Sequence, residues 1–411
     1  MFKNISIENI LYFLFFTSLI LFDNHINSKI IIGIGLISLI VFSKNKFKNN
    51  IKLNYPILLF FLLILISLLY TKDLKNGLKE IEGLLIIPTS ILIFSYRNKK
   101  EIFVKHIGII FIFIVLLATI YSHSIVVHSF IENNETSYKH FFNLNYSYKA
   151  LANTLNLHPT YYALYILTAI VFVLHFVKEK TVSNNQKLLL LLVYTYFSIF
   201  IVQLSSRMAI VILYLVTLFN LVQYIIEQKK IIKGLSLIVL FHSLAFILIM
   251  NIGVTKYRFQ HLLGFTYYTG YTVNDSNHKM KLWTAAINAN DNIIFGNGIG
   301  DVQTALNAAY EKANLKTPLK LQYNSHNQYI QYYVGLGIIG LFAFLYLLFY
   351  YAKLFIVNKN SVGLQFILVV AILSFTECLW NRHNGVVFIV FMLVLLAQIK
   401  NNKTEKLHKL T

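Results

Sequence analysis

The sequence predicts an all-α, polytopic membrane protein with about twelve transmembrane helices and a helical outer loop between the ninth and tenth. Three observations carry that expectation. The 411 residues are 57% hydrophobic and 13% charged, against roughly 25% charged in a soluble globular chain. The apolar residues fall in blocks long enough to cross a bilayer core, many of them nearly free of charge. Basic residues gather in alternate connections between those blocks, as they do where one side of a membrane retains them. A bilayer admits only helices or a closed barrel, because backbone groups find no water there, and blocks of this length read as helices.

In chain order the spans fall at 9–22, 29–43, 54–70, 81–96, 104–122, 160–177, 188–205, 208–226, 235–252, 328–352, 362–378 and 384–399. Lys3 and the apolar run Ile10 to Phe22 resemble a signal peptide, but Asp23-Asn24-His25 stands where a small-residue cleavage site would be. A retained first helix is expected. The basic connections hold Lys44, Lys46, Lys48 and Lys52, then Arg97, Lys99, Lys100 and Lys105, then Lys178, Lys180 and Lys187, then Lys229, Lys230 and Lys233, then Lys353 and Lys359. The other short loops hold few cations, and the alternation places both termini in the cytoplasm. Two long loops, 123–159 and 253–327, then lie on the outer side. The chain 1–411 reads as one integral membrane domain, with 253–327 as a cap. This topology accounts for much of the net charge of +20, so membrane lipids are the expected surroundings and no nucleic-acid partner is expected.

The chemistry-bearing residues cluster in the outer connections. Cys378 is the single cysteine, which excludes a disulfide within the chain and argues against a cysteine-based zinc site. No Walker loop, HExxH pair or nucleophile elbow is present, so nothing points to a nucleotide-driven pump and no cofactor is expected. Phe295-Gly296-Asn297-Gly298-Ile299-Gly300 implies a tight turn or a close backbone approach. Met280 to Ile287, around Trp283, and residues 302–315 have helical patterns.

Ser325-His326-Asn327 stands where the large loop turns into the tenth span. Gly337 and Gly340 follow on the same helical face, a small-residue stripe that a neighbouring helix could approach. His326 reads either as an interfacial histidine or as a general base. Arg207, between two apolar runs, either snorkels to the interface or clamps an anion bidentately. Lys79 pairs with Glu80 and Glu82 or binds an anion; Arg258 and Lys279 are solvated loop cations or weaker members of the same set. Glu377 and Arg382 read most simply as an ion pair at the last outer turn. His158 and Tyr161, in the Tyr-rich end of the first loop, belong to an interfacial aromatic belt or to a sugar-facing or lipid-facing rim. A basic outer cavity with one candidate base suits a lipid-linked diphosphate donor, the cations neutralising the leaving group.

His326-Asn327, nine spacer residues, then Gly337-Ile338-Ile339-Gly340 resembles the signature of the O-antigen ligase family, which is related to the O-antigen polymerases. Ser205-Ser206-Arg207, the Trp283 helix, the Phe295–Gly300 glycines, Glu377 to Gly385, and Lys79 with Leu84 to Pro88 support the likeness. It runs from about Lys79 to the last span. The resemblance implies a metal-independent, inverting glycosyltransferase of the GT-C type in the bacterial inner membrane. Such an enzyme moves glycan from undecaprenyl diphosphate to an acceptor on the periplasmic side. It implies His326 as the base for the acceptor hydroxyl, and Arg207 and Arg258 as the diphosphate clamp. The family often has arginine four residues before the loop tryptophan; here that position is Lys279, which keeps the charge without the planar fork.

The expected activity is ligation of a polysaccharide to lipid A-core or another surface acceptor. Polymerisation of the same lipid-linked glycan is the close alternative, transfer to a protein a third. A transporter for the lipid-linked glycan is the alternative of another class; inverted repeats with discontinuous helices would mark it.

Overall fold

The computed structural model describes residues 7–40, 44–95, 100–228 and 278–399, with 232, 236, 239 and 243 between the last two stretches. The fold is all-helical, and no strand occurs among the described residues. Five helices are long and apolar enough to cross a membrane: Lys105–Glu132, Pro159–Lys178, Asn184–Gln203, Arg207–Glu227 and Gln328–Val357. A bent pair, Lys44–Leu53 with Tyr55–Ser67, counts as a sixth if taken as one span. Four shorter apolar helices, Asn9–Leu21, Asn24–Ile40, Ser361–Ser374 and His383–Ala397, stand where the sequence places further spans. The expected ninth span, 235–252, lies largely outside the described residues, and Arg258 lies wholly outside them. The chain divides into two compact units, Met1–Ile107 with Asn277–Thr411, and Gly108–Ser276, where the sequence reads as one domain.

In the first unit the His383–Ala397 helix is apolar on all sides and buried within the protein along almost its whole length. Phe391 stacks on Phe15 of the Ile7–Leu21 helix, ring centroids 3.8 Å apart. The expected fourth span is instead two shorter helices, Leu74–Leu84 and Ile86–Ile93. The first of these is amphipathic, and its N-cap Asp73 accepts the backbone N–H of Asn76 at 3.0 Å, a bond that holds the turn below it.

The Gln328–Val357 helix breaks at Gly337, where φ is 64° and ψ is −160°. Four backbone groups are released there, and the loop ahead of the helix takes them up. Asn297 and Gly298 donate to the carbonyls of Val334 and Gly335 at 2.9 Å each. Ile338 donates to Ile293 at 2.8 Å and Ile339 to Ile294 at 3.4 Å. The expected small-residue stripe therefore admits a loop backbone at Gly337 rather than a neighbouring helix. A Cβ on Gly337 would sit 2.2 Å from the carbonyl oxygen of Ile294, and one on Gly296 would sit 2.4 Å from the nitrogen of Gly337. Asp301 secures the other end of this loop, accepting the N–H groups of Lys72 and Asp73 at 2.7 and 2.8 Å.

The expected loop helices appear as His278–Ile287 and Val302–Lys312. They bury Leu282, Ala286, Leu306 and Tyr310 against Val334, which fastens the loop to the head of the broken helix.

In the second unit the Pro159–Lys178 helix forms the centre, with Tyr161, Tyr162 and Tyr165 buried. The helix before it runs to Glu132, so the first long loop begins at 133 rather than 123. The loop is tied down by Gln203, whose Nε2 donates to the carbonyl of Tyr146 at 3.1 Å and whose Oε1 accepts from His123 Nε2 at 2.8 Å.

Candidate active site

The site is built on the first turn of the Gln328–Val357 helix. Asn327 caps it, its Oδ1 accepting the N–H of Tyr329 at 3.0 Å and of Ile330 at 3.2 Å. Just ahead, His326 has a φ of 49°, in the left-handed region that costs an L-residue on the order of 1 kcal/mol or more. Asn324 Oδ1 accepts the His326 N–H at 3.0 Å, and Ser325 Oγ donates to the Asn327 carbonyl at 2.8 Å. These bonds hold the turn in its strained form and direct the imidazole out of the helix.

The imidazole meets a carboxylate. His326 Nδ1 lies 3.4 Å from Glu377 Oε1; the His side chain is 27% exposed and the Glu side chain 5%. The carboxylate is thus the more deeply buried partner, and the imidazole keeps part of its surface exposed. Tyr323 meets the ring edge-on at 5.2 Å. Arg382 is exposed at the same turn. The sequence separates Glu377 from His326 by most of two membrane helices, so only tertiary packing could join them.

Two buried glutamines hold the couple together, and sequence reading missed both. Gln328 accepts the N–H of Trp380 at 2.8 Å and donates to Asn381 Oδ1 at 2.8 Å. It thereby clasps the turn that carries Glu377. Gln331, one helical turn on, accepts the N–H of Ser325 at 3.1 Å and so holds the turn that carries His326. Polar side chains at i and i+3 inside an apolar helix were the available signal, since a buried amide needs partners.

Among the expected cations of this unit, Lys279 is exposed and reaches the Glu377 turn, its Nζ donating to the carbonyl of Thr376 at 3.4 Å. Lys79 is exposed on the amphipathic Leu74–Leu84 helix, with no ion-pair partner among the described residues. Its neighbour Glu80 is partly buried, and desolvation pushes its carboxyl up to about 7 against the opposing pull of Lys79. Glu80 is therefore only partly ionised at neutral pH and leaves much of the Lys79 charge uncancelled.

In the second unit Arg207 begins the Arg207–Gln228 helix and is partly buried. It follows Ser205, at φ 49°, whose hydroxyl donates to the Val202 carbonyl at 3.1 Å. A guanidinium at a helix N-terminus adds to the positive end of the dipole, so it gains nothing from the helix dipole itself. His158 caps the Pro159–Lys178 helix, its Nδ1 accepting from Thr160 N at 3.4 Å, and its ring meets Tyr161 edge-on. Tyr161 is buried. Among the described residues no three His, Cys, Asp or Glu side chains gather into a metal-binding group.

Fold and site define a polytopic helical membrane protein with a histidine–carboxylate couple at the head of a broken helix. Residues 188–345 match the model of the O-antigen ligase family. That stretch is similar to the family's domain, and members of the family are glycosyltransferase-like ligases and polymerases. The match includes Arg207, Arg258, Lys279, His326 and Asn327, and ends before Glu377. No curated protein matches the chain.

Proposed function

We propose that this protein is an O-antigen ligase-like glycosyltransferase at the periplasmic face of the bacterial inner membrane. It moves a polysaccharide from undecaprenyl diphosphate to lipid A-core or another surface acceptor, with inversion and without a metal. The observation that carries this reading is the His326–Glu377 couple, seated in the motif that lies within the family match. With Nδ1 turned to the carboxylate, Nε2 is assigned to the acceptor side. There it takes the proton of the acceptor hydroxyl as that oxygen attacks the anomeric carbon. The bond from that carbon to the diphosphate oxygen breaks, and its electron pair leaves with undecaprenyl diphosphate. Glu377 holds the ring and stabilises the imidazolium that forms, the role of the third member of a catalytic triad. Arg207, Arg258, Lys79 and Lys279 are assigned to diphosphate binding, the arginines by motif and the lysines by charge. Asn327 and His158 serve as helix caps, and Arg382 remains a candidate for substrate contact.

Polymerisation uses the same donor and the same couple, and reconstitution separates the two. Purified protein is mixed with undecaprenyl-diphosphate-linked repeat units, with and without lipid A-core, in the presence of chelator. Product that needs the acceptor supports ligase; longer lipid-linked chains without it mean polymerase. His326→Ala is expected to lose activity by 10²-fold or more, the range a general base contributes, with its elution and melting unchanged. Near wild-type transfer by that variant would sink the catalytic role. The transporter alternative draws no support from the break at Gly337, because backbone from the loop fills it rather than a cavity.

A further inference from the structure

A basic helix turns sharply off the membrane helix that follows it. Lys44–Leu53 and Tyr55–Ser67 meet at 77°. With Tyr55–Ser67 crossing the bilayer, the Lys44–Leu53 helix lies close to the membrane plane. The corner is fixed by buried polar groups. Asn54 Nδ2 donates to the Asn50 carbonyl at 3.0 Å, and the Tyr351 hydroxyl donates to Asn54 Oδ1 at 2.8 Å. Asn50 in turn donates to the carbonyl of Ile91 at 2.7 Å, which seats the helix against the protein body by its Asn50 face. A fixed corner of this kind sets the helix orientation without help from a ligand.

The opposite face is a cationic row. Lys44, Lys48 and Lys52 are exposed at i, i+4 and i+8, with exposed Asn45 and Asn49 beside them. None of the three lysines has an ion-pair partner among the described residues. The helix contains no acidic residue. Like charges at this spacing destabilise a helix by repulsion, so the row is costly unless anions lie along it. The positive-inside pattern puts this connection on the cytoplasmic side, where the leaflet surface is anionic.

We propose that the Lys44–Leu53 helix is a lipid-headgroup contact that binds anionic phospholipid of the cytoplasmic leaflet through Lys44, Lys48 and Lys52. This site is separate from the proposed transfer chemistry and does not depend on it. The full-length protein is reconstituted in phosphatidylcholine vesicles carrying spin-labelled phosphatidylglycerol or spin-labelled phosphatidylcholine, and the motionally restricted fraction of each label is measured. Wild type is expected to favour phosphatidylglycerol by about fivefold, on the order of one lysine's effect at an anionic surface. K44Q/K48Q/K52Q loses most of that preference and K44R/K48R/K52R keeps it. Raising salt from about 0.05 M to about 1 M erases it in wild type through screening, a readout that stands even if the glutamine variant fails to fold. Equal restriction of the two labels in wild type overturns the proposal, as does an unchanged preference in the glutamine variant. Displacement by inorganic phosphate at matched ionic strength also overturns it, because the lysines would then hold free phosphate rather than lipid.

Discussion

His326 is the residue on which the proposed chemistry turns, and its placement depends on groups that never touch a substrate. Glu377 faces Nδ1 from the buried side, and Gln328 fixes the Glu377 turn through two bonds of 2.8 Å. Replacing Glu377 by Gln keeps the shape and removes the charge that steadies a developing imidazolium. The expected fall in kcat is on the order of 10²-fold with KM little changed, within the range of general-base effects. Gln328→Leu should approach the same loss by freeing the turn. In the double variant the two losses should fall well short of their product, because both act on one couple. Full additivity in that cycle, measured on purified protein, would separate Gln328 from the couple and leave it a packing residue. The sequence motif singles out His326 as the candidate base. The His326–Glu377 contact was not legible, because an intramembrane glutamate near an arginine reads locally as an ion pair, whereas this contact is tertiary.

At the scale of elements, helix positions were legible wherever length and apolarity coincided, as in Pro159–Lys178 and Arg207–Gln228. The loop helices around Trp283 and after Gly300 were legible from their periodicity. The helix break was not, because a glycine in an apolar run signals close packing as readily as it signals a turn. At Gly337 the two demands coincide: the backbone is left-handed there, and the carbonyl of Ile294 occupies the place of a Cβ. Gly337→Ala is therefore expected to destabilise the protein by at least about 2 kcal/mol, combining the cost of the strained backbone with that of displacing the loop. Thermal unfolding in detergent checks this, with Gly33→Ala as the comparison, since a Cβ there meets nothing within 4 Å. A melting temperature as high as that of the Gly33 variant would mean that the loop can retreat at little cost. Within the expected fourth span, the boundary at Leu85 between two helices was not legible either, because a sliding reading of hydropathy joins them.

Across the whole molecule, the alternation of basic connections remains the basis for orientation. It predicts that a fluorescent protein fused after Thr411 is bright and that alkaline phosphatase at the same place is inactive, as for a cytoplasmic terminus. The opposite pair of results would invert the topology and remove the large loop from the periplasmic side. The candidate residues are distributed over both compact units, His326, Glu377, Lys79 and Lys279 in one and Arg207 in the other. Variants in either unit are thus informative about transfer.

The filled break at Gly337 also bears on how the chain is made. The segment 293–298 leaves the ribosome before the helix whose open groups it satisfies. When residues 328–357 are made, their partner has already been translated. A chain rearranged so that this order is reversed would present a membrane segment with bare amides and carbonyls, each costing several kcal/mol in hydrocarbon, for as long as the later segment took to arrive. The order of synthesis is in this sense part of the design of the helix.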